Sequence, residues 1–157
     1  MAIIPIFIPH AGCPHQCVFC NQKTISGQKT AAVEGAKEQI NKWLAWVKPS
    51  VENEAAFYGG SFTGLELALQ KELLALTDEL LERKVIGSVR LSTRPDYIDK
   101  ERLELLRTHG VKLVELGVQS LDNVVLAAAE RGHTAEQVNN AVALLKEYGF
   151  KVGLQLM

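Results

Sequence analysis

Five short apolar runs recur along this chain with room for a helix between successive runs, and that alternation constrains the fold more than any other feature. The runs are Ile3–Pro9, Ala55–Tyr58, Ser88–Thr93, Lys112–Val118 and Lys151–Met157. They are rich in Ile, Val, Leu and Phe, as strands covered on both faces tend to be. One helical stripe between them is Ala36, Ile40, Trp43, Leu44 and Val47, and Leu65, Leu69, Glu72, Leu73, Leu76 and Leu80 fall on a second helix. Further helices are expected at Asp99–His109, Asn123–Arg131 and Ala135–Tyr148, with Asp99 and Thr134 as N-caps and Gly110 and Gly149 as C-caps. Repeated strand–helix units predict an α/β fold of parallel strands joined by right-handed crossovers. At 157 residues, 47% hydrophobic and 22% charged, the chain suits one domain with a sizeable core. No linker, low-complexity tract or longer repeat interrupts the pattern.

The last run stops at the final residue. An apolar strand such as 152–156 left bare at a sheet edge invites further pairing. The expectation is therefore that residues 1–157 are the N-terminal part of a longer protein, with a further strand and any substrate domain beyond them; a second subunit covering the edge is the alternative. Net charge is −1, with acids and bases mixed, so no basic block argues for nucleic-acid binding through phosphates. A nucleic-acid substrate held by another part of a longer protein is still compatible with that charge. The opening apolar run is short, broken by Pro5 and not preceded by a basic residue, and no stretch approaches the roughly 18 apolar residues of a membrane span. The expected location is the cytoplasm, without a membrane partner, where thiols stay reduced.

All three cysteines fall in the loop after the first run: Cys13-Pro14-His15-Gln16-Cys17-Val18-Phe19-Cys20. In a reduced compartment such crowding points to metal or cluster ligation rather than a disulfide framework. Four thiolates normally close a [4Fe–4S] cluster, and three leave one iron with an open position. The alternatives are three incidental buried thiols, a redox dithiol, or a zinc site that adds His10 or His15 to make a Cys₃His tetrahedron. Structural zinc commonly uses two separated ligand pairs, whereas here every ligand would come from one short loop.

The C-x₃-C-x₂-C spacing, with aromatic Phe19 before the last cysteine, resembles the cluster loop of the radical S-adenosylmethionine (SAM) superfamily. Phe57-Tyr58-Gly59-Gly60-Ser61-Phe62-Thr63-Gly64 is similar to that family's glycine-rich motif, although Gly59-Gly60 alone would also suit a tight strand-to-helix turn. Ser92-Thr93-Arg94-Pro95-Asp96-Tyr97, Leu116-Gly117-Val118-Gln119-Ser120 and Arg131-Gly132-His133-Thr134 resemble the radical domain of the catalytic Elongator subunit, and also the oxygen-independent coproporphyrinogen oxidase group. The resemblance implies a partial (β/α) barrel, here truncated after about five βα units, with its site at the C-terminal ends of the strands. It implies two cofactors, a [4Fe–4S] cluster and S-adenosyl-L-methionine, and an electron donor such as flavodoxin or ferredoxin. Reductive cleavage of S-adenosylmethionine would give a 5′-deoxyadenosyl radical that abstracts hydrogen from an unidentified substrate, tRNA or tetrapyrrole by the family's range.

By the same resemblance Cys13, Cys17 and Cys20 would ligate three irons. Phe19 would pack near the adenine. Gly59, Gly60 and Ser61 would line the methionine end, with Ser92, Gln119 and Gln155 around the cosubstrate. Arg131 would pair with a carboxylate, for which a planar fork is suited; its plainer reading is a solvated helix end. Three positions depart from the pattern. Phe7 stands where the coproporphyrinogen oxidase group has tyrosine, Ser92 where relatives often have glutamate, and Gln155 where some are acidic. Together they argue against porphyrin chemistry. Glu115 is a candidate to restore the lost acidity, although its alternation with Val114 and Leu116 equally suits a residue that simply faces the barrel interior. A zinc-stabilised binding module without catalysis is the alternative reading from another functional class.

Overall fold

β1 (Ile3–Phe7), β2 (Glu54–Tyr58), β3 (Ser88–Thr93), β4 (Val111–Gln119) and β5 (Lys151–Leu156) form one sheet in sequential order, and every neighbouring pair is parallel. The structure is a computed structural model and describes residues 1–8, 13, 17–20 and 32–157. Helices α1 (Ala32–Leu44), α2 (Leu67–Glu82), α3 (Lys100–Thr108), α4 (Asn123–Ala128) and α5 (Ala135–Glu147) alternate with the strands, and 3-10 turns occupy Phe62–Gly64 and Pro95–Tyr97. A sheet whose order never reverses, wound with a constant hand, carries its crossovers on one side, which is the winding of a (β/α) barrel.

The five expected strands are all present. The coverage of the sheet differs from expectation. On β3, Val89, Leu91 and Thr93 are buried, while Ser88, Arg90 and Ser92 are half-buried on the opposite face. Only one face carries the helices. The buried side joins Ile4, Ile6, Phe57, Leu91 and Leu116 to Leu73 and Leu74 of α2, Leu103 and Leu106 of α3 and Leu145 of α5. The other face carries a polar row: the Arg90 guanidinium bonds Glu115 at 2.5 Å and reaches Glu54 at 3.5 Å.

Local chemistry sets the helix ends. The Asp99 carboxylate accepts the Arg102 N–H at 2.9 Å, and Thr134 forms a capping box with Gln137. Gly110 and Gly149 take positive φ after α3 and α5. The expected helix at Asn123–Arg131 ends at Ala128, because Glu130 (φ 53) and Gly132 (φ 72) turn the backbone left-handed. Two stripe assignments also shift: Trp43 is exposed, and α2 turns Glu72 to solvent while burying Gln70, Leu73, Leu74, Thr77 and Leu80. Leu65 is buried but precedes the helix. On β5, Leu154 and Leu156 are exposed, as is Met157 just after it, and among the described residues no strand pairs its outer edge. No helix among the described residues is long and apolar enough to cross a membrane.

Candidate functional site

Parallel strands bring their C-terminal ends to one rim. An open cleft of about 220 Å³ lies there, bordered by Cys13, Gly59, Gly60, Ser92, Arg94, Gly117, Gln119, Arg131 and Gln155. All of these except Arg94 and Gly117 are site candidates from the sequence, drawn from the loop after β1 and from the ends of β2 to β5 together with the turn after α4. His10 and His15, the extra ligands of the zinc alternative, lie outside the described residues.

The cysteine loop is held from the far end of the chain. Residues 17–20 form a tight turn closed by the Cys20 N–H on the Cys17 carbonyl at 2.9 Å. The Val18 N–H donates to the Ala129 carbonyl at 3.3 Å, and Arg131 Nη1 donates to Cys17 Sγ at 3.2 Å. Arg131 is buried, donates Nη2–H to the Gly117 carbonyl, and places its guanidinium 5.9 Å from the Phe19 ring centroid. A solvated helix end is therefore excluded for Arg131. Phe19 is 42% exposed and stacks on that cation rather than on a core. Cys17 is buried and Cys13 is exposed. Desolvation still pushes the Cys13 thiol up, against the pull of Arg94 and Arg131.

The glycine motif divides its work. Gly59 takes φ +99°, while Gly60 does not lie in the positive-φ region. A Cβ on Gly59 would meet the Ile8 carbonyl oxygen and the Phe7 ring at 2.7 Å. Ser61 is 1% exposed, and its hydroxyl bonds Thr93 Oγ1 at 3.0 Å and accepts the Arg94 N–H at 3.3 Å. Thr63 Oγ1 bonds the same Thr93 hydroxyl at 2.6 Å. These hydroxyls fasten the end of β2 to the end of β3 behind the cleft wall, so the Ser61 side chain faces away from the role suggested for it.

A register shift between Gly117 and Gln119 breaks the β4–β5 ladder, and Gln119 sits at φ 69°. Such a bulge re-aims a side chain beside a site. Gln155 reaches Ser92 Oγ at 3.4 Å, and Ser92 donates to Glu115 at 3.3 Å. Glu115 therefore lies one layer below the cleft, paired with Arg90, and does not simply replace the missing acids. Three participants carried no site role in the sequence reading. Arg94 is 3% exposed and pairs with Asp96; His133 is 5% exposed and bonds the Val118 carbonyl through Nε2 at 3.2 Å. The Arg-Pro-Asp spacing at a strand end was the available signal for the first two.

Comparison with known proteins gives one pattern. The family model described as Radical SAM superfamily matches residues 7–157. The tRNA uridine(34) acetyltransferase of Methanocaldococcus infernus is 28% identical over 195 residues, covering 100% of this chain and 36% of that protein. Among solved structures, the archaeal Methanocaldococcus infernus Elp3 with an N-terminal deletion aligns with a TM-score of 0.67 and 25% identity, over 99% of this chain and 37% of that one. Coproporphyrinogen III oxidase (HemN) from Escherichia coli aligns with a TM-score of 0.70 at 21% identity, over 99% and 36%, which supports the fold alone. The chain thus spans about a third of the length of these relatives.

Proposed function

The chain belongs to the radical SAM superfamily, whose enzymes use a [4Fe–4S] cluster and S-adenosylmethionine, and on that premise we propose that Cys13, Cys17 and Cys20 are the cluster's protein ligands and that the adjoining cleft takes the cosubstrate. The observation that carries this reading is the bond from buried Arg131 to Cys17 at the cleft wall. The donor set fits the group. Three thiols share one loop, one of them already accepts a charged N–H as a metal-bound thiolate does, and another borders the cleft. Among the described residues no three Cys, His, Asp or Glu side chains gather around a single ion. A cluster spreads its ligands over separate irons, so it does not need that convergence. The family match lends no support to the zinc-stabilised module.

When bound, the cluster supplies the electron that cleaves S-adenosylmethionine to methionine and a 5′-deoxyadenosyl radical. The chain's own residues bind and orient. The main chain at Gly59 and Gly60 lets the ligand's methionine end approach closely. Arg131 keeps its cation at the cleft wall with both arms of its fork already spent on Cys17 and the Gly117 carbonyl, rather than open to a carboxylate, and Gln119 and Gln155 offer amides on either side of the β4–β5 ladder. Phe19, on the rim, covers one side and limits water. A flavodoxin or ferredoxin type donor would deliver the electron, in the cytoplasm.

For substrate we infer tRNA over a tetrapyrrole. A relative matched over the whole chain is named for a tRNA uridine, Phe7 lacks the tyrosine hydroxyl of the coproporphyrinogen oxidase group, and Ser92 and Gln155 are uncharged where relatives are often or sometimes acidic. Parts of the protein beyond these residues would carry the recognition.

Anaerobic reconstitution tests the central assignment. About four irons and four sulfides per chain are expected, with loss of both in Cys17→Ala. One tightly held zinc instead would overturn it. Formation of 5′-deoxyadenosine that rises with tRNA and not with coproporphyrinogen supports the substrate reading, and the reverse response refutes it.

A further inference from the structure

Arg94 is a buried cation that, among the described residues, does not bond the cysteines itself. Its guanidinium makes a forked pair with Asp96, Nε to Oδ1 at 2.9 Å and Nη2 to Oδ2 at 3.0 Å. The same Nη2 donates to the main-chain carbonyl of Arg131 at 2.5 Å. Arg131 then donates to Cys17 Sγ at 3.2 Å. A continuous series of bonds therefore runs from Asp96 through Arg94 and Arg131 to a cysteine sulfur.

We propose that Arg94 is a positioning residue for that sulfur: its fork, fixed by Asp96, holds the Arg131 main chain so that Nη1 is aimed at Cys17, and through that bond it sets the reduction potential of the bound cluster. The inference rests on the reading of Cys13, Cys17 and Cys20 as cluster ligands.

The backbone explains why Arg131 needs such a hold. It follows the end of α4, between Glu130 at φ 53° and Gly132 at φ 72°, so neither helix nor strand fixes its carbonyl. Arg94 satisfies that carbonyl, and only a planar group with several donors can grip Asp96 and Arg131 together. The energetic consequence follows from charge. Reduction adds one negative charge to a cluster, and hydrogen bonds to its sulfurs favour the reduced form. The surroundings reinforce the effect, because two guanidiniums here face one carboxylate, and Arg94 Nη1 and Arg131 Nε are buried without partners among the described residues.

The test uses the full-length protein, reconstituted anaerobically, as wild type, Arg94→Lys, Arg131→Gln and the double variant. Potentials are read by titration followed with electron paramagnetic resonance. Arg94→Lys keeps the charge and loses the fork. The equilibrium constant for one-electron reduction is expected to fall about tenfold in each single variant, about 59 mV for such a couple. The double variant should fall no further than the lower single, because both changes break one series of bonds. A wild-type potential in Arg94→Lys, or shifts that add in the double variant, would overturn the inference while leaving the ligand reading intact. Failure of the wild type to assemble a cluster would instead overturn the ligand reading and this inference with it. If Arg94→Lys loses its cluster, Asp96→Asn serves as the second variant, read by proton hyperfine coupling. The wild type should show an exchangeable proton coupled to the cluster and Asp96→Asn a weaker one; equal coupling would refute the role assigned to the fork.

Discussion

A side chain at position 59 has nowhere to go. Its Cβ would lie 2.7 Å from the Ile8 carbonyl oxygen and from the Phe7 ring, on a backbone at φ +99°. Those neighbours begin the loop that carries the cysteines, so Gly59→Ala should disturb both the fold and the cysteine site. A loss of about 1–3 kcal/mol is expected from the strained backbone, measurable by denaturant unfolding, with Gly60→Ala costing less. Equal losses at the two positions would place the constraint wrongly. The Gly-Gly pair was legible in the sequence, but which glycine bears the strain was not, because that depends on the approach of β1. His133 makes a second case. Burial, then Arg131 and Arg94, pushes its imidazole below the usual value of 6.5, with Asp96 opposing. The folded state therefore binds fewer protons at this ring than the unfolded state near that value. Its stability contribution is complete above about pH 6.5 and is lost as pH falls from there towards the folded-state pKa. Stability of the wild type between pH 7 and 5 should fall more steeply than that of His133→Gln, and parallel profiles would remove His133 as the cause.

Among the elements, strands were easier to read than the helix ends. Burial under the helices forces apolar residues onto β1 to β4, and that requirement is local to each strand. The end of α4 was not legible, since Ala129, Glu130 and Arg131 all suit a helix and the stop comes from two left-handed residues around Arg131. Nor was the burial of Arg131, whose partner Cys17 stands 114 residues away. A tight crossing at the opposite end of the sheet gives an element-level prediction. A Cβ on Gly87 would lie 1.9 Å from the Val51 carbonyl oxygen, in the turn where buried Asn53 bonds the Lys48 and Val85 carbonyls at 2.8 and 3.0 Å. Backbone must move to admit a methyl group there. Gly87→Ala should therefore cost about 1–3 kcal/mol and lower the unfolding temperature by several degrees, while cluster content per folded chain stays unchanged because the cysteines lie at the other rim. Unchanged thermal stability would mean that the crossing is looser than its geometry indicates.

The whole sheet poses the problem of a polar inner face. A sequentially wound sheet covers one side with helices and turns the other inward, so residues facing inward must satisfy one another. Arg90 does this for three strands at once. From β3 it bonds Glu115 on β4 at 2.5 Å and Glu54 on β2 at 3.5 Å, all three side chains less than a quarter exposed. Burial works against the charge on Arg90, but Glu115 first and Tyr58 and Glu54 after it raise the guanidinium above its ordinary value. Breaking a fully buried pair by removing one partner costs about 3–5 kcal/mol, and partial solvation here should reduce that to about 1–3 kcal/mol. Arg90→Met keeps the length of the side chain and strands two carboxylates on neighbouring strands. The variant should be less stable than wild type, and adding Glu115→Gln should recover part of the loss, because a neutral amide needs no counter-charge. Denaturant unfolding of the three proteins measures the gap. A deficit that Glu115→Gln leaves unchanged would show that Arg90 serves by packing rather than by charge.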